Sequence, residues 1–361
     1  MNIKQEYMRI TAPRSEVKSI LNKIRFTFKN PLAQFGLLGV ILIIFQILSL
    51  SGSLSNATTN AIGYVMIYGI ASIGFCLLLG YSGLASLGTA GFIGVGIYLS
   101  YYALADWHAT ILPALLVAGI VSIVLGIIVG FVSLRIEGIY LAIMTLCLSE
   151  VVVRLLKAIE SGTIRISSKD LTFFGLPLST EVIYIIIAVV LVVLLVLTAN
   201  LIKSPTGRAM QAMKSSTSAA QAMGISLMKY RLLAFIIATL FATIAGCFYI
   251  FYIGAITSTT STVLTLSMSL NILGAVIIGG AKSLWGTLFG TLFVFGLQDL
   301  FLMDIPFFVE NPAITTIFIG ILMILVVMFF PGGFAQIVLL LRVQFYKLKQ
   351  KWKVRKYGLQ D

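Results

Sequence analysis

The sequence predicts an all-α integral membrane protein of about ten transmembrane helices, arranged as two inverted five-helix halves. Three observations predict it. Hydrophobic residues fill 59% of the 361 positions and charged residues only 10%, against about 25% charged in a typical soluble domain. Ten apolar stretches lie near residues 32–51, 60–79, 88–105, 110–133, 138–157, 182–202, 231–254, 264–281, 284–303 and 313–331. Each approaches the roughly 20 helical residues that cross a bilayer core. Finally, the charges are segregated. With loops alternating from an inside N-terminus, 21 of the 25 Lys and Arg fall on cytoplasmic segments, but only 4 of the 12 acids. That is the positive-inside pattern, with both termini in the cytoplasm.

The spans are expected to be helices because lipid offers no water to unpaired backbone groups. A membrane strand would alternate apolar and polar residues, and IIIAVVLVVLLVL at 185–197 does not. The net charge of +13 is read as topology and attraction to anionic lipid, not as nucleic-acid binding. Residues 1–31 form a basic cytoplasmic head without a clear cleavage site, so the first helix is read as uncleaved. Residues 32–335 form the transmembrane domain, and 336–361 a basic cytoplasmic tail.

Along the domain, glycine marks two kinds of place. Residues 80–96 read GYSGLASLGTAGFIGVG. Each interior Gly costs a helix about 1 kcal/mol relative to Ala. Residues 80–88, with Tyr81, Ser82, Gly83, Ser86 and Thr89 interleaved or adjoining, are read as a break lining a polar pathway. Gly91 to Gly96, and the spacings Gly126-x-x-x-Gly130 and Gly286-x-x-x-Gly290, are read as close helix packing. The three cysteines, Cys76, Cys147 and Cys247, all lie in apolar spans, so no disulfide framework is expected. Helices 1–5 run from inside to outside and helices 6–10 from outside to inside. That parity, with a faint echo of residues 86–89 at 283–287, is the basis for the inverted halves.

Two intramembrane polar residues stand out. Glu150 lies deep in the fifth stretch with Arg154 four residues on, where the two can pair on one face. Two readings are open, a buried structural pair and a gate or pathway residue. Asn271 in the eighth stretch is read as an interhelical hydrogen bond or a pathway residue. His108, the only histidine, is read as interfacial, and the TSTTST run at 257–262 as an outer loop.

The loop 202–231 is a basic insert with no acid, SPTGRAMQAMKSSTSAAQAMGISLMKYR from Ser204. Ser204 is a candidate N-cap, and Pro205 suits the first helical position. A second short helix starts at Thr217 or Ser218 and stops at Gly224. Met210, Met213, Ala219, Ala220 and Met223 then offer apolar contact to a partner groove, Met tolerating repacking as the partner moves. Gly207, Arg208 and Lys214 complete the candidate docking set. The other reading of the insert is an amphipathic loop lying on lipid.

Five stretches carry a resemblance. They are GYSGLASLGTAGFIGVGIY (80–98), LRIEGIYLAIMTLCLSEVV (134–152), the insert at 204–235, GGAKSLWGTLFG (279–290) and PGGF (331–334). In order and spacing, residues 60–335 resemble the LivM-type permease subunits of branched-chain amino-acid ABC importers. The resemblance implies a type II-like importer permease whose insert is the loop coupled to a cytoplasmic ATPase. It also implies a paralogous permease subunit, two ABC ATPase subunits that bind ATP and Mg, and an extracytoplasmic substrate-binding protein. The chain departs from the family where Cys76, Leu84 and Thr89 replace polar Asn, Gln and His or Gln. It departs again where Ser215, Ser216, Thr217 and Gln221 replace acids.

No G-x-x-x-x-G-K-[ST] loop is present, so ATP is expected on a separate polypeptide. A lone His and no Cys/His cluster give no metal or triad chemistry. Branched-chain amino acids are the first expected cargo, with nucleosides, urea and short amides as related alternatives. An ion-coupled secondary transporter and a non-transporting scaffold are the rival classes.

Overall fold

In the computed structural model each of the ten apolar stretches is helical over most of its described residues. The structure describes residues 31–334, apart from 52–54, 108, 134–137, 160–161, 167–170, 174–175, 258–261, 303–304, 311 and 330–331. The basic head and tail, His108 and most of the 257–262 run therefore lie outside the described residues.

In chain order the elements begin with α1 (Pro31–Leu50) and α2 (Asn56–Phe75), the latter prolonged by a π-helical segment, Cys76–Ser82. There follow α3 (Thr89–Ala105), α4 (Ile111–Ser133), α5 (Ile139–Ile159) and α6 (Thr180–Lys203). The insert folds as α7 (Pro205–Ser215) and α8 (Thr217–Ala222) before α9 (Leu227–Ile253) and α10 (Leu266–Gly279). Next, α11 (Leu284–Thr291) runs on into π-helical segments Leu292–Gly296 and Gln298–Leu302. The described chain closes with α12 (Pro306–Glu310) and α13 (Pro312–Phe329). Five of these, α1, α2, α4, α6 and α9, are individually long and apolar enough to cross a membrane. Their outer faces agree: α4 leaves Leu116, Ile120, Val124 and Ile127 exposed at successive turns. A water-soluble monomer rarely carries so continuous an apolar stripe.

Helices α2 and α9 form the centre. α9 packs against α2, α3 and α4, and α2 against α9, α10 and α11. A correspondence runs through these contacts. Matching α1–α5 in order with α6, α9, α10, α11 and α13, the pair α3–α9 answers to α10–α2, and α4–α9 to α11–α2. Likewise α3–α4 answers to α10–α11, α3–α5 to α10–α13, and α1–α2 to α6–α9, while α1–α6 and α2–α9 map onto themselves. The pairing α2–α6 has no comparable α1–α9 counterpart.

The small residues expected to pack helices do so. A Cβ on Gly96 would collide with the Thr243 carbonyl, and one on Gly246 with the Ile93 carbonyl, so α3 and α9 touch backbone to backbone. Gly126 and Gly130 meet α9, while Gly286 and Gly290 meet α10.

Two features were not foreseen. Short strands β1 (Thr163–Arg165) and β4 (Ala255–Thr257) pair antiparallel, placing Ile164 opposite Ile256. β2 (Thr172–Phe173) pairs with β3 (Leu176–Pro177). Two- and three-residue ladders are too short to leave a period-2 signal. They matter because β1 and β4 tie the ends of α5 and α9 together at one end of the bundle. The opposite end gathers the end of α2, the α7–α8 insert and the turn between α10 and α11.

Candidate functional site

The site grows from the way α2 ends. From Cys76 the helix widens to π geometry, and its last carbonyls do not find ordinary partners. Leu78 O takes three donors: the Ser82 hydroxyl, the Gly83 N–H and the Leu84 N–H. Gly83 then reverses the chain at φ 76°, in the left-handed region that glycine adopts without strain. The carbonyls of Leu79 and Gly80 are left over. Lys214 of α7 takes both, its Nζ donating at 2.9 Å to Leu79 O and at 2.8 Å to Gly80 O. Its stem lies across Gly83. An ammonium at a helix C-terminus is also favoured by the helix dipole. Burial, and then the neighbouring Lys282 ammonium, pull the Lys214 pKa below the ordinary lysine value, against a smaller opposing pull from Cys76.

The turn after α10 closes the other flank. The Ala281 carbonyl occupies the space where a Cβ on Gly80 would stand. The same carbonyl accepts from the Cys76 thiol at 3.2 Å, and Lys282 O accepts from the Tyr81 hydroxyl at 2.8 Å. Three segments far apart in sequence, residues 76–83, 214 and 281–282, thus meet at one junction.

Beyond the turn, the first N–H groups of α3 and its approach are met by buried hydroxyls. Thr145 Oγ1 on α5 accepts from Leu87 N at 3.0 Å, and Ser149 Oγ accepts from Gly91 N at 2.8 Å. Ser269 Oγ on α10 accepts from Ala90 N at 2.9 Å. Ser86 and Thr89 are buried and line a cavity of about 10 Å³ with Phe75, Phe92, Phe235 and Thr239. That is room for one water, and too little for any solute.

The expected pathway residues therefore divide. Tyr81, Ser82 and Gly83 sit at the Lys214 junction, and Ser86 and Thr89 on the cavity. Glu150 and Asn271 join neither group. Glu150 does pair with Arg154, Oε1 to Nε at 3.0 Å, but the pair is on the outside, with side chains 47% and 77% exposed. This corrects the reading of a buried pair: residue 149, not 150, is on the face that α5 turns to α3. Asn271 is half-buried, and its side chain makes no hydrogen bond among the described residues, which corrects the expected interhelical bond. Ser269, two positions earlier, makes that contact instead. Thr145, Ser149 and Ser269 escaped notice because a Ser or Thr inside an apolar run reads like any small packing residue.

The insert folds as expected at its ends. Ser204 Oγ accepts from Gly207 N at 3.3 Å, Pro205 opens α7, and Ser216 caps α8. Its apolar residues face differently. Gly207, Met210, Met213 and Ala220 are buried beneath the insert, so they anchor it to the helices and are not offered to a partner groove. The spacing 207, 210, 213 is one face of α7, and that face turns inward because apolar side chains have the bundle to bury against. Arg208, Lys214, Ala219, Met223 and Gly224 are exposed, Met223 at 82%. Arg208 donates to Lys203 O at 3.0 Å.

Residues 57–327 match the profile of the family described as "Branched-chain amino acid transport system / permease component". The chain is 31% identical to the high-affinity branched-chain amino acid transport system permease protein LivM of Escherichia coli (strain K12), over 68% of this chain and 64% of that protein. It is also 31% identical to the LivM of Salmonella typhimurium (strain LT2), over 76% of this chain and 69% of that protein. The chain thus spans about two thirds of the length of these relatives. No solved structure matches.

Proposed function

The chain belongs to the permease-component family of branched-chain amino acid transport systems, and from that premise we propose that it is one transmembrane half of an ATP-driven importer of branched-chain amino acids. It pairs with a paralogous permease to enclose the translocation path. It receives solute from an extracytoplasmic binding protein, and two ABC ATPase subunits, which bind ATP and Mg, drive it. It lies in a bacterial plasma membrane as ten spans with both termini cytoplasmic. Residues 32–335 form the permease domain, between the basic segments 1–31 and 336–361.

One observation carries this reading: Lys214, on the insert, holds the carbonyls at which α2 breaks. A displacement of α7 by a moving ATPase reaches the 80–88 turn without any intervening element. The exposed side of the insert, Arg208, Ala219, Met223 and Gly224, is the face left for that partner. The inverted halves draw support from the helix pairings, nearly all of which have a counterpart five spans on. The ion-coupled alternative draws less: Glu150 is already paired with Arg154 on an exposed face, which leaves it Asp299 as a coupling group.

The test is reconstitution of the affinity-purified complex into proteoliposomes. ATPase subunits should co-purify, and uptake of L-leucine, L-isoleucine or L-valine should require ATP. Deleting residues 205–224 should abolish both. Uptake that survives ATP depletion but collapses with the ion gradient would overturn the ATP-driven reading. ATP-driven uptake that excludes all three amino acids would overturn only the cargo, and nucleosides, urea and short amides would then be tried.

A further inference from the structure

At the end of the bundle that carries β1 and β4, a row of aromatic rings descends between α2, α9 and α11. Tyr252, in the last turn of α9, donates to Asn60 Oδ1 at 3.0 Å and meets Tyr64 edge-on, with centroids 5.8 Å apart. Tyr249 lies 6.4 Å from Tyr64 and 6.1 Å from Tyr68, centroid to centroid. Phe295, on the first π-helical segment of α11, sits 4.3 Å from Tyr68. Asp299, on the second, lies on a segment that packs against α2, the helix that carries Tyr64 and Tyr68. All except Tyr252 are partly exposed, so the row reaches the surface of the chain.

Asp299 is the anomaly. A carboxylate within a membrane-spanning segment is costly unless a cation pairs with it. Among the described residues none does: the ion pair there joins Glu150 to Arg154, and Asp299 makes no hydrogen bond. On the helix its segment packs against, the rings of Tyr64 and Tyr68 meet their aromatic neighbours in several orientations. Rings attract a cation held within about 6 Å of their centroids, and a carboxylate adds a charge-assisted hydrogen bond to the same guest. π-helical segments, which here carry both Phe295 and Asp299, recur at functional sites.

We propose that Tyr64, Tyr68, Tyr249 and Asp299 form a binding site for the primary ammonium group of the transported solute. This deepens the permease reading and rests on it. The site selects for an amine, not for a carboxylate, and it lies at the end of the bundle opposite the Lys214 junction. The aliphatic part of the guest lies along the rings, as Phe295 already does against Tyr68.

The experiment splits leucine into its two charged halves. Binding to the purified complex in detergent, without ATP, is measured for L-leucine, for isopentylamine (which lacks the carboxylate) and for 4-methylpentanoate (which lacks the ammonium). The expected result is binding of the first two and not the third. Asp299→Asn should weaken both amines about tenfold or more, Asp299→Glu should restore part of the loss, and Tyr64→Leu should weaken binding more than Tyr64→Phe. Equal binding of 4-methylpentanoate, or no effect of Asp299→Asn, overturns the site. So does an Asp299→Asn variant that loses its second permease subunit, since the carboxylate would then be pairing a partner cation. Amine binding without any ATP-driven uptake would leave the site standing and remove the permease reading. ATP-driven uptake indifferent to the ammonium would do the reverse.

Discussion

Lys214 and Gly80 are 134 positions apart in the chain, yet the ammonium of one holds the carbonyl of the other at 2.8 Å. The contact joins the insert to the C-terminal end of α2, where Leu79 O shares the same donor. A Lys214→Met variant keeps the stem over Gly83 and removes the charge. Because the lysine is substantially exposed, its loss should cost little stability, about 1 kcal/mol. ATP-driven uptake should fall tenfold or more, while ATPase capture and basal ATP hydrolysis persist. Lys214→Arg, which retains donors and charge, should recover part of the uptake. Uptake and hydrolysis falling in parallel would mean that Lys214 serves assembly, not transmission.

Gly80 itself is fixed by space. The Ala281 carbonyl fills the position that a Cβ would need, and backbone on both sides leaves nothing flexible to yield. Overpacking a tight site typically costs about 1–3 kcal/mol, and Gly80→Ala should reach or exceed the upper end. Gly320→Ala is the control, since nothing lies within 4 Å of its added methyl. Thermal unfolding in detergent should show a large drop for the first and no drop for the second.

Much of this architecture was legible because membrane spans advertise themselves by length and composition. The ten apolar stretches, the break after Gly80, and the two short helices of the insert with their Ser204 and Gly224 boundaries all follow from local chemistry. What local chemistry cannot give is facing. Met210 and Met213 looked available to a partner because Met suits adaptable surfaces, but whether a helix lying beside a bundle turns its apolar face in or out depends on what else it can bury against. Glu150 drew attention as the charge in an apolar run, whereas the contact to α3 is made by its small neighbour Ser149. The Lys214 junction depends on three segments meeting, which no spacing in one sequence reveals.

The two faces of the insert should separate in mutagenesis. Met210 and Met213 are 0% and 2% exposed, and truncating a buried Met to Ala costs about 2–5 kcal/mol. Met210→Ala should therefore lower the unfolding temperature of the permease by itself. Met223 is 82% exposed, so Met223→Glu should leave that temperature unchanged. Its effect should appear as reduced ATPase co-purification. A destabilised Met223→Glu permease would show that the insert is folded against the bundle along both faces.

The last contrast sets a visible charge against two inconspicuous hydroxyls. Glu150 and Arg154 form an exposed pair, and such pairs contribute about 0–1 kcal/mol. Glu150→Gln should therefore shift stability by less than 1 kcal/mol and leave uptake near the wild-type rate. Ser149 and Ser269 instead accept from N–H groups in the first turn of α3, donors that have no partner within their own helix. Removing a buried acceptor leaves its donor unsatisfied at a cost of about 1–3 kcal/mol, so Ser149→Ala and Ser269→Ala should each destabilise by that amount. The first turn of α3 follows directly on the 83–88 turn, so the same variants should also slow uptake, with the double variant slower than either single. If Glu150→Gln proves the most damaging of the three, the exposed face of α5 has a partner and Glu150 acts there.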